Sequence, residues 1–294
     1  MAKKKSKIRG GLSILVQGPP GTGKSEFAAS AAEKGLSVKL LALRPKEIDS
    51  AGYVKHGINA EAELFHDPGW MPSIEEYEAR GFVQLLKRLK ALQQDDDVDV
   101  VVLDPITDLN ELIAHELLSF EQEGDYNEAA TDARQLWGTH RKKFIEVIKA
   151  ATYLCHAPHP KHVICVVHTK PTSEETKVKK GGRWVTEKSS DQKAQGTRFF
   201  GDVMPLLEGS VKYDIGGEFQ IQAFTDFKRE RVNKGSASKP DYVTENDFGL
   251  LLKPDDERFA KVSAAYLEDE RLPNHFPTLL EAIEEALEEI GGDG

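Results

Sequence analysis

The sequence predicts an α/β fold: a mostly parallel sheet flanked by helices, with an antiparallel hairpin at one edge and a small C-terminal extension. Three stretches predict it. Residues 12–17 are an apolar run leading through a glycine-rich turn into the alanine-rich segment 24–33, the pattern of strand, tight loop and helix. Residues 37–43 repeat the strand pattern and complete a β-α-β unit, whose strands lie parallel. Residues 98–104, Val-Asp-Val-Val-Val-Leu-Asp, are almost continuously apolar, as strands covered on both faces are.

The first turn carries chemistry. Gly18-Pro19-Pro20-Gly21-Thr22-Gly23-Lys24-Ser25 fills every fixed position of the phosphate-binding pattern G-x-x-x-x-G-K-[ST]. Its glycines let successive backbone N–H groups turn inward around phosphate oxygens, and the start of the following helix adds partial positive charge. In this pattern Lys24 reaches the β- and γ-phosphates and the Ser25 hydroxyl ligates Mg²⁺. A nucleoside triphosphate is the ligand this loop predicts.

Residues 44–72 show few periodic signals and read as a long loop at the carboxyl edge of the sheet, where such loops shape sites. Glu47 and Asp49 stand just past the second strand, where a carboxylate can polarise an attacking water. Residues 73–94 space Ile74, Tyr77, Phe82, Leu85, Leu86, Leu89 and Leu92 as an amphipathic helix. Asp104 ends the next strand at the crevice above the sheet, the position of a carboxylate that holds Mg²⁺ and hydrogen-bonds Ser25. Pro105-Ile106-Thr107-Asp108 follows it. The adjacent Asp-Glu pair of the AAA+ ATPases is therefore missing, and the sequence reading sets that class aside.

Residues 108–121 and 127–154 read as helices, the second placing Trp137 as a core anchor among basic residues. The apolar run 162–168 then forms a fourth buried strand, and His168 reaches the same sheet edge as Asp104, where a polar side chain can sense the γ-phosphate. Residues 170–198 carry Lys177, Lys179, Lys180, Arg183 and Trp184 with almost no aliphatic core. Cations that track a backbone beside an aromatic that stacks on a base are the composition of a single-strand-binding loop.

Residues 210–214 and 219–224, around Gly216-Gly217, read as the antiparallel edge hairpin. Lys228, Arg229 and Arg231 follow it, placed to neutralise transition-state charge on a neighbouring subunit's nucleotide. The Gly/Ser/Lys/Pro stretch 234–240 reads as a linker. The expected division is thus a basic arm at 1–9, an ATP-binding core at 10–232, and a linker with an acidic helical extension at 233–294, whose helix covers 278–290.

Composition excludes other classes. The net charge of −10, from 39 basic and 49 acidic residues, argues against a uniformly basic nucleic-acid coat and leaves local patches such as the lysine-rich arm. No apolar run approaches the roughly 20 residues of a membrane span, so no membrane partner and a cytoplasmic location are expected. Cys155 and Cys165 alone make no disulfide framework. Cys155, His156, His159 and His162 gather potential metal ligands, but their spacing matches no standard zinc pattern.

The ordered set of the phosphate loop at 18–25, Val-Val-Val-Leu-Asp-Pro-Ile-Thr at 100–107, a Trp-containing basic helix, Val-Val-His-Thr at 166–169 and a late hairpin followed by Lys/Arg resembles the phage-encoded RecA-like P-loop NTPases, including those grouped with single-strand-annealing recombination proteins. The resemblance covers about residues 10–232. It implies a RecA-like core, ATP and Mg²⁺ as cofactors, single-stranded DNA as partner, and homo-oligomers with ATP at subunit interfaces. It also admits a partner protein of replication or recombination, and a host-cell cytoplasm as location. Lys24, Ser25 and Asp104 match its motifs, and His168 matches its sensor position. Glu47 departs from them, because Leu43-Arg44-Pro45-Lys46 stands where the family often has an acidic residue directly after the second strand.

The leading functional expectation is an ATP-hydrolysing, single-stranded-DNA-binding protein of recombination or replication. A DNA-binding or annealing module that uses ATP to set its assembly, with little turnover, is the second. A small-molecule or nucleotide kinase is the third, and it wants an arginine-rich lid that residues 170–198 do not resemble.

Overall fold

In a computed structural model of the chain, the described residues are 10–65, 81–119, 133–171, 175–180, 183–188, 203–205, 207, 211–233, 242–253, 260–262, 267 and 271–292. Five strands build the parallel centre: β1 (Ser13–Gly18), β2 (Val38–Ala42), β3 (Glu63–Leu64), β4 (Val100–Asp104) and β5 (His162–Pro171). β6 (Glu175–Lys180) and β7 (Arg183–Lys188) form a separate two-stranded ribbon, and β8 is Val203–Pro205. β9 (Ile221–Asn233), β10 (Tyr242–Leu251), β11 (Lys261–Val262) and β12 (Arg271–Pro273) complete the main sheet, whose order is β12-β10-β9-β1-β5-β4-β2-β3. β1 lies parallel to both β5 and β9, with Gly18 paired to His168 and Gln17 to Phe224. β10 runs antiparallel to both β9 and β12.

Side chains alternate across the central strands, which sends each strand into two cores. Leu15, Val101, Leu103, Val163, Cys165 and Val167 face one core. There they meet α4 (Phe82–Leu92), α5 (Leu109–Ser119) and α6 (Ala133–Thr152); the numbering leaves α1 (Lys24–Ala29), α2 (Pro45–Ile48) and α3 (Ala51–Lys55) for the phosphate-loop region. α6 buries Phe144, Val147, Ile148 and Ala151, spacings of three, one and three that align on one helical face. Ile14, Val16, Leu40, Ala42, Val102, Ile164 and Val166 face the other core, with Phe27 and Ala28 of α1 and Tyr53 of α3. The same core takes in Phe276, Leu279, Leu280 and Ile283 of the last helix, Phe276–Gly292, which follows α7 (Val211–Asp214) and is therefore α8.

Four sequence expectations change. Residues 210–214 and 219–224 do not form a hairpin. Val211, Ile215 and Phe219 recur every four residues and are all buried, so α7 and the 3-10 turn Ile215–Glu218 pack helically, and only the strand from Ile221 onward joins the sheet. The edge hairpin is instead β9 with β10, paired from Asn233 with Tyr242 back to Phe224 with Leu251. Residues 234–240 lie outside the described residues, but the strands on either side of them are neighbours in one sheet. A core ending at 232 would cut that ladder and remove α8 from the core it fills, so β10, β12 and α8 are part of the same body.

Residues 44–65, expected as loop, hold α2, α3, the 3-10 turn Ile58–Glu61 and β3. Short polar helices of four or five residues leave almost no periodicity to read. The basic segment expected as an irregular loop contains the β6–β7 ribbon. Among the described residues no helix is long and apolar enough to cross a membrane.

Candidate functional site

The phosphate loop leaves β1 at Gly18 and enters α1 at Lys24. Gly21 and Gly23 sit at φ +79° and +87°, a left-handed backbone that side-chain-bearing residues rarely adopt, which is why the loop needs glycine there. Thr22 Oγ1 donates to the Pro19 carbonyl at 2.8 Å and shares a 2.7 Å hydrogen bond with Thr225 Oγ1 on β9. Asn274 Nδ2 donates to the Gly23 carbonyl at 2.8 Å. The loop is thereby fastened from the β9 and β12 side. Lys24 Nζ donates to the carbonyls of Gly18 (2.9 Å) and Pro19 (2.6 Å), and burial lowers its pKa to about 8 against the opposing pull of Asp104 and Glu47. An ammonium held over its own loop is positioned to exchange those carbonyls for phosphate oxygens.

Asp104 ends β4 fully buried beside this loop. Its Oδ2 accepts hydrogen bonds from Ser25 Oγ at 2.9 Å and from Tyr53 Oη at 2.7 Å, while Oδ1 is buried with no partner. Burial, then the charge of Glu47, raises its pKa to about 6, with the two hydroxyls and Lys24 pulling the other way. A carboxylate oxygen left unpaired next to a serine hydroxyl is an oxygen donor set that fits Mg²⁺ and its bound waters.

Tyr53 was not singled out by the sequence, and nothing local marks it. It reaches Asp104 because α3 packs tightly on α1: a Cβ on Gly52 would stand 2.8 Å from Glu26 Cα. Burial is also the first cause that raises the Tyr53 phenol far above its usual range, so it serves as a neutral donor.

Glu47 is closer to the site than its spacing suggests. β2 lies directly beside β4, with Ala42 paired to Asp104 and the Leu43 N–H bonded to the Asp104 carbonyl at 2.9 Å. Pro45 then starts α2 at once, and this single turn sets Glu47 on the site side, where its charge acts on Asp104, Tyr53 and Lys24. Arg44, just before it, pairs with Asp108. His168 ends up level with Gly18, its backbone N–H donating to Thr107 Oγ1 at 3.0 Å and its Nδ1 buried with no partner. Burial first, then the cations Lys24, Arg44 and Lys46, depress its pKa to about 4, so the imidazole is neutral at physiological pH. Asp49 caps α2 and makes no contact described at the site.

The remaining expected residues stand away from the loop. Lys177, Lys179, Lys180, Arg183 and Trp184 lie on the β6–β7 ribbon, where the register sets Lys179 opposite Trp184 and Lys180 opposite Arg183. Their side chains are outside the described set. Arg229 and Arg231 lie on β9 opposite Asn246 and Thr244. At about 3.3 Å per residue, Arg229 is about 16 Å beyond Phe224, the residue level with Gln17. The hairpin arm therefore carries both arginine positions past the chain's own loop. The metal-ligand candidates at 155–162 do not converge: Cys155 is buried, His156 and His159 are exposed, and His162 Nδ1 accepts the Leu12 N–H at 3.2 Å. Lys228 is exposed on β9.

Strand, glycine loop and helix, with a buried aspartate and serine converging on the loop, define a P-loop ATPase domain that binds ATP. Residues 10–196, more than half of the 294-residue chain, match the family described as AAA domain, and the chain belongs to that family.

Among solved structures the chain is similar to the flagellar accessory protein FlaH from Methanocaldococcus jannaschii, at 13% identity over 90% of this chain and 84% of that one, with a TM-score of 0.37. It is also similar to an ATPase from the type III secretion system of pathogenic bacteria, at 11% identity over 73% of this chain and 52% of that one, with a TM-score of 0.40. No curated protein sequence matches.

Proposed function

We propose that this ATPase hydrolyses ATP with Mg²⁺ and binds single-stranded DNA in phage recombination or replication, in the host cytoplasm, as a RecA-like homo-oligomer with ATP at subunit interfaces. The observation that carries the DNA reading is the ribbon: it follows β5, the strand that carries His168, and its register brings Lys179 opposite Trp184. A lysine and a tryptophan at facing positions of a two-stranded ribbon suit a sugar-phosphate chain with stackable bases. Coupling to ATP follows from the short path from His168 to the ribbon.

Hydrolysis in this reading is in-line attack of water on the γ-phosphate. Glu47 polarises that water, and Lys24 holds the β- and γ-phosphates. Neutral His168 contacts the γ-phosphate by hydrogen bonding and not by charge. Ser25 and the unpaired Asp104 Oδ1 would hold Mg²⁺, which would supply charge neutralisation on the phosphates. Arg229 or Arg231 of the hairpin arm completes a neighbouring subunit's site.

ATP turnover, measured with and without single-stranded DNA alongside mass in solution, tests this reading. The expected result is hydrolysis stimulated by DNA, abolished by Lys24→Ala, from an oligomer. Salt-sensitive DNA binding with negligible turnover would favour an annealing module that uses ATP for assembly. Phosphate transfer to a small acceptor without a DNA effect would sink both.

A further inference from the structure

Two phenylalanines stand out by exposure. Phe227 on β9 and Phe248 on β10 are 42% and 39% exposed, whereas every other phenylalanine whose side chain is described is buried. They are direct cross-strand partners, and their rings stack with centroids 6.0 Å apart and planes 29° from parallel.

Their position ties them to the phosphate loop. Phe248 Cδ1 lies 3.4 Å from where a Cβ on Gly23 would stand, beside the Asn274 amide at 2.6 Å, so the ring borders the loop. Asn274 clamps the two together: its backbone N–H donates to the Phe248 carbonyl at 3.1 Å and its side chain donates to the Gly23 carbonyl at 2.8 Å. The residues preceding the phenylalanines, Asp226 and Asp247, are both paired with Arg271, at 3.2 and 2.8 Å, which keeps their charge from repelling a polyanion nearby.

We propose that Phe227 and Phe248 form the platform on which the base of the bound nucleoside triphosphate stacks. The inference rests on residues 18–25 as the phosphate site and adds where the rest of the ligand goes. A triphosphate seated in the loop leads through one ribose to a flat, aromatic base whose π-face can stack. The stacked pair offers a flat, apolar, solvent-facing surface directly beside the loop. Stacking reads no hydrogen-bond pattern, so the platform accepts the π-face of any base, purines with their larger face most tightly.

The test compares Mg²⁺-ATP with Mg²⁺-tripolyphosphate, which has the phosphates and no base, for the full chain and for Phe248→Ala, Phe227→Ala and Phe248→Tyr. The inference expects Phe248→Ala to weaken ATP about 5- to 160-fold, the range for losing one stacking aromatic, while tripolyphosphate binding stays unchanged. Phe227→Ala should weaken ATP in the same direction, and Phe248→Tyr should bind ATP as the unaltered chain does. Equal weakening of both ligands, or of neither, overturns the platform. A fall in solution mass on Phe248→Ala with ATP affinity intact also overturns it and assigns the pair to contact with a second copy. Failure of the unaltered chain to bind either ligand overturns the phosphate site itself, a different result from losing the base-dependent part alone.

Discussion

Tyr53 Oη donates to Asp104 Oδ2 at 2.7 Å, inside a fully buried pair that joins α3 to the end of β4. With Ser25 on the same oxygen, this bond holds the carboxylate so that Oδ1 is the atom left over. Tyr53→Phe should therefore raise the Mg²⁺ concentration needed for half-maximal ATP turnover several-fold while leaving metal-free nucleotide binding unchanged. A Mg²⁺ titration of turnover, with nucleotide affinity measured in chelator, checks this. An unchanged Mg²⁺ profile would show that Ser25 alone orients Asp104.

Gly52 makes that pair possible. A Cβ there meets Glu26 backbone atoms at 2.8 and 2.9 Å, and backbone cannot swing aside as a long side chain can. Gly52→Ala should destabilise the fold by about 1–3 kcal/mol, as overpacking does, and shift the Mg²⁺ profile in the same direction as Tyr53→Phe. Denaturant unfolding beside the same titration separates the two effects.

Asp104 is held ionised at a cost. Its folded pKa, near 6, is above the ordinary 3.8, so folding favours the protonated form and this group's contribution to stability is lost as pH rises through about 6. Asp104→Asn should raise the melting temperature of the nucleotide-free protein at pH 7.5, with a smaller gain at pH 5, and should abolish Mg²⁺-dependent turnover. Thermal melts at the two pH values check the sign.

His162 works in the opposite direction. Burial lowers its pKa to about 4 while it accepts the Leu12 N–H and packs edge-on against Phe276 at 5.5 Å. A depressed base favours the neutral folded form, so its stabilisation is complete above the unfolded value of 6.5 and is lost as pH falls toward 4, on the order of 3 kcal/mol in all. His162→Asn keeps an acceptor for Leu12 and removes the titration. Its unfolding free energy should fall less steeply between pH 6.5 and 4.

The last helix is core, not appendage. Phe276 is fully buried against Phe27 of α1, ring centroids 5.8 Å apart, and its N–H donates to Ser30 Oγ at 2.9 Å. A chain ended at residue 232 should fail to give a cooperative thermal transition. If it melts cooperatively and binds ATP, the residues after 232 are dispensable after all.

The site was legible where chemistry is encoded in contiguous residues. The loop at 18–25 needs glycines and a lysine at fixed spacing, and a buried strand ending in Asp104 announces itself by its apolar run. Glu47 was visible as a candidate, but its nearness to Asp104 depends on β2 lying beside β4 and on one turn begun by Pro45. The 211–219 segment was misread because two glycines suggested a hairpin turn, while three buried residues four apart belonged to a helical turn. Tyr53, Thr225 and Asn274 carry no local signal, since an isolated hydroxyl or amide becomes informative only when a distant strand or helix is set against it.

By itself, then, the sequence determined a parallel α/β sheet, a phosphate loop with Lys24 and Ser25, and the aspartate that meets them, because each rests on short-range spacing and strand hydrophobicity. Tertiary structure alone decided that Tyr53 shares that aspartate, that β10, β12 and α8 belong to the core, and that Phe248, with Phe227 stacked on it, stands beside Gly23. Those relationships join residues 51 to 251 positions apart, and such contacts are set by sheet order and by which faces must be covered, neither of which any local stretch records.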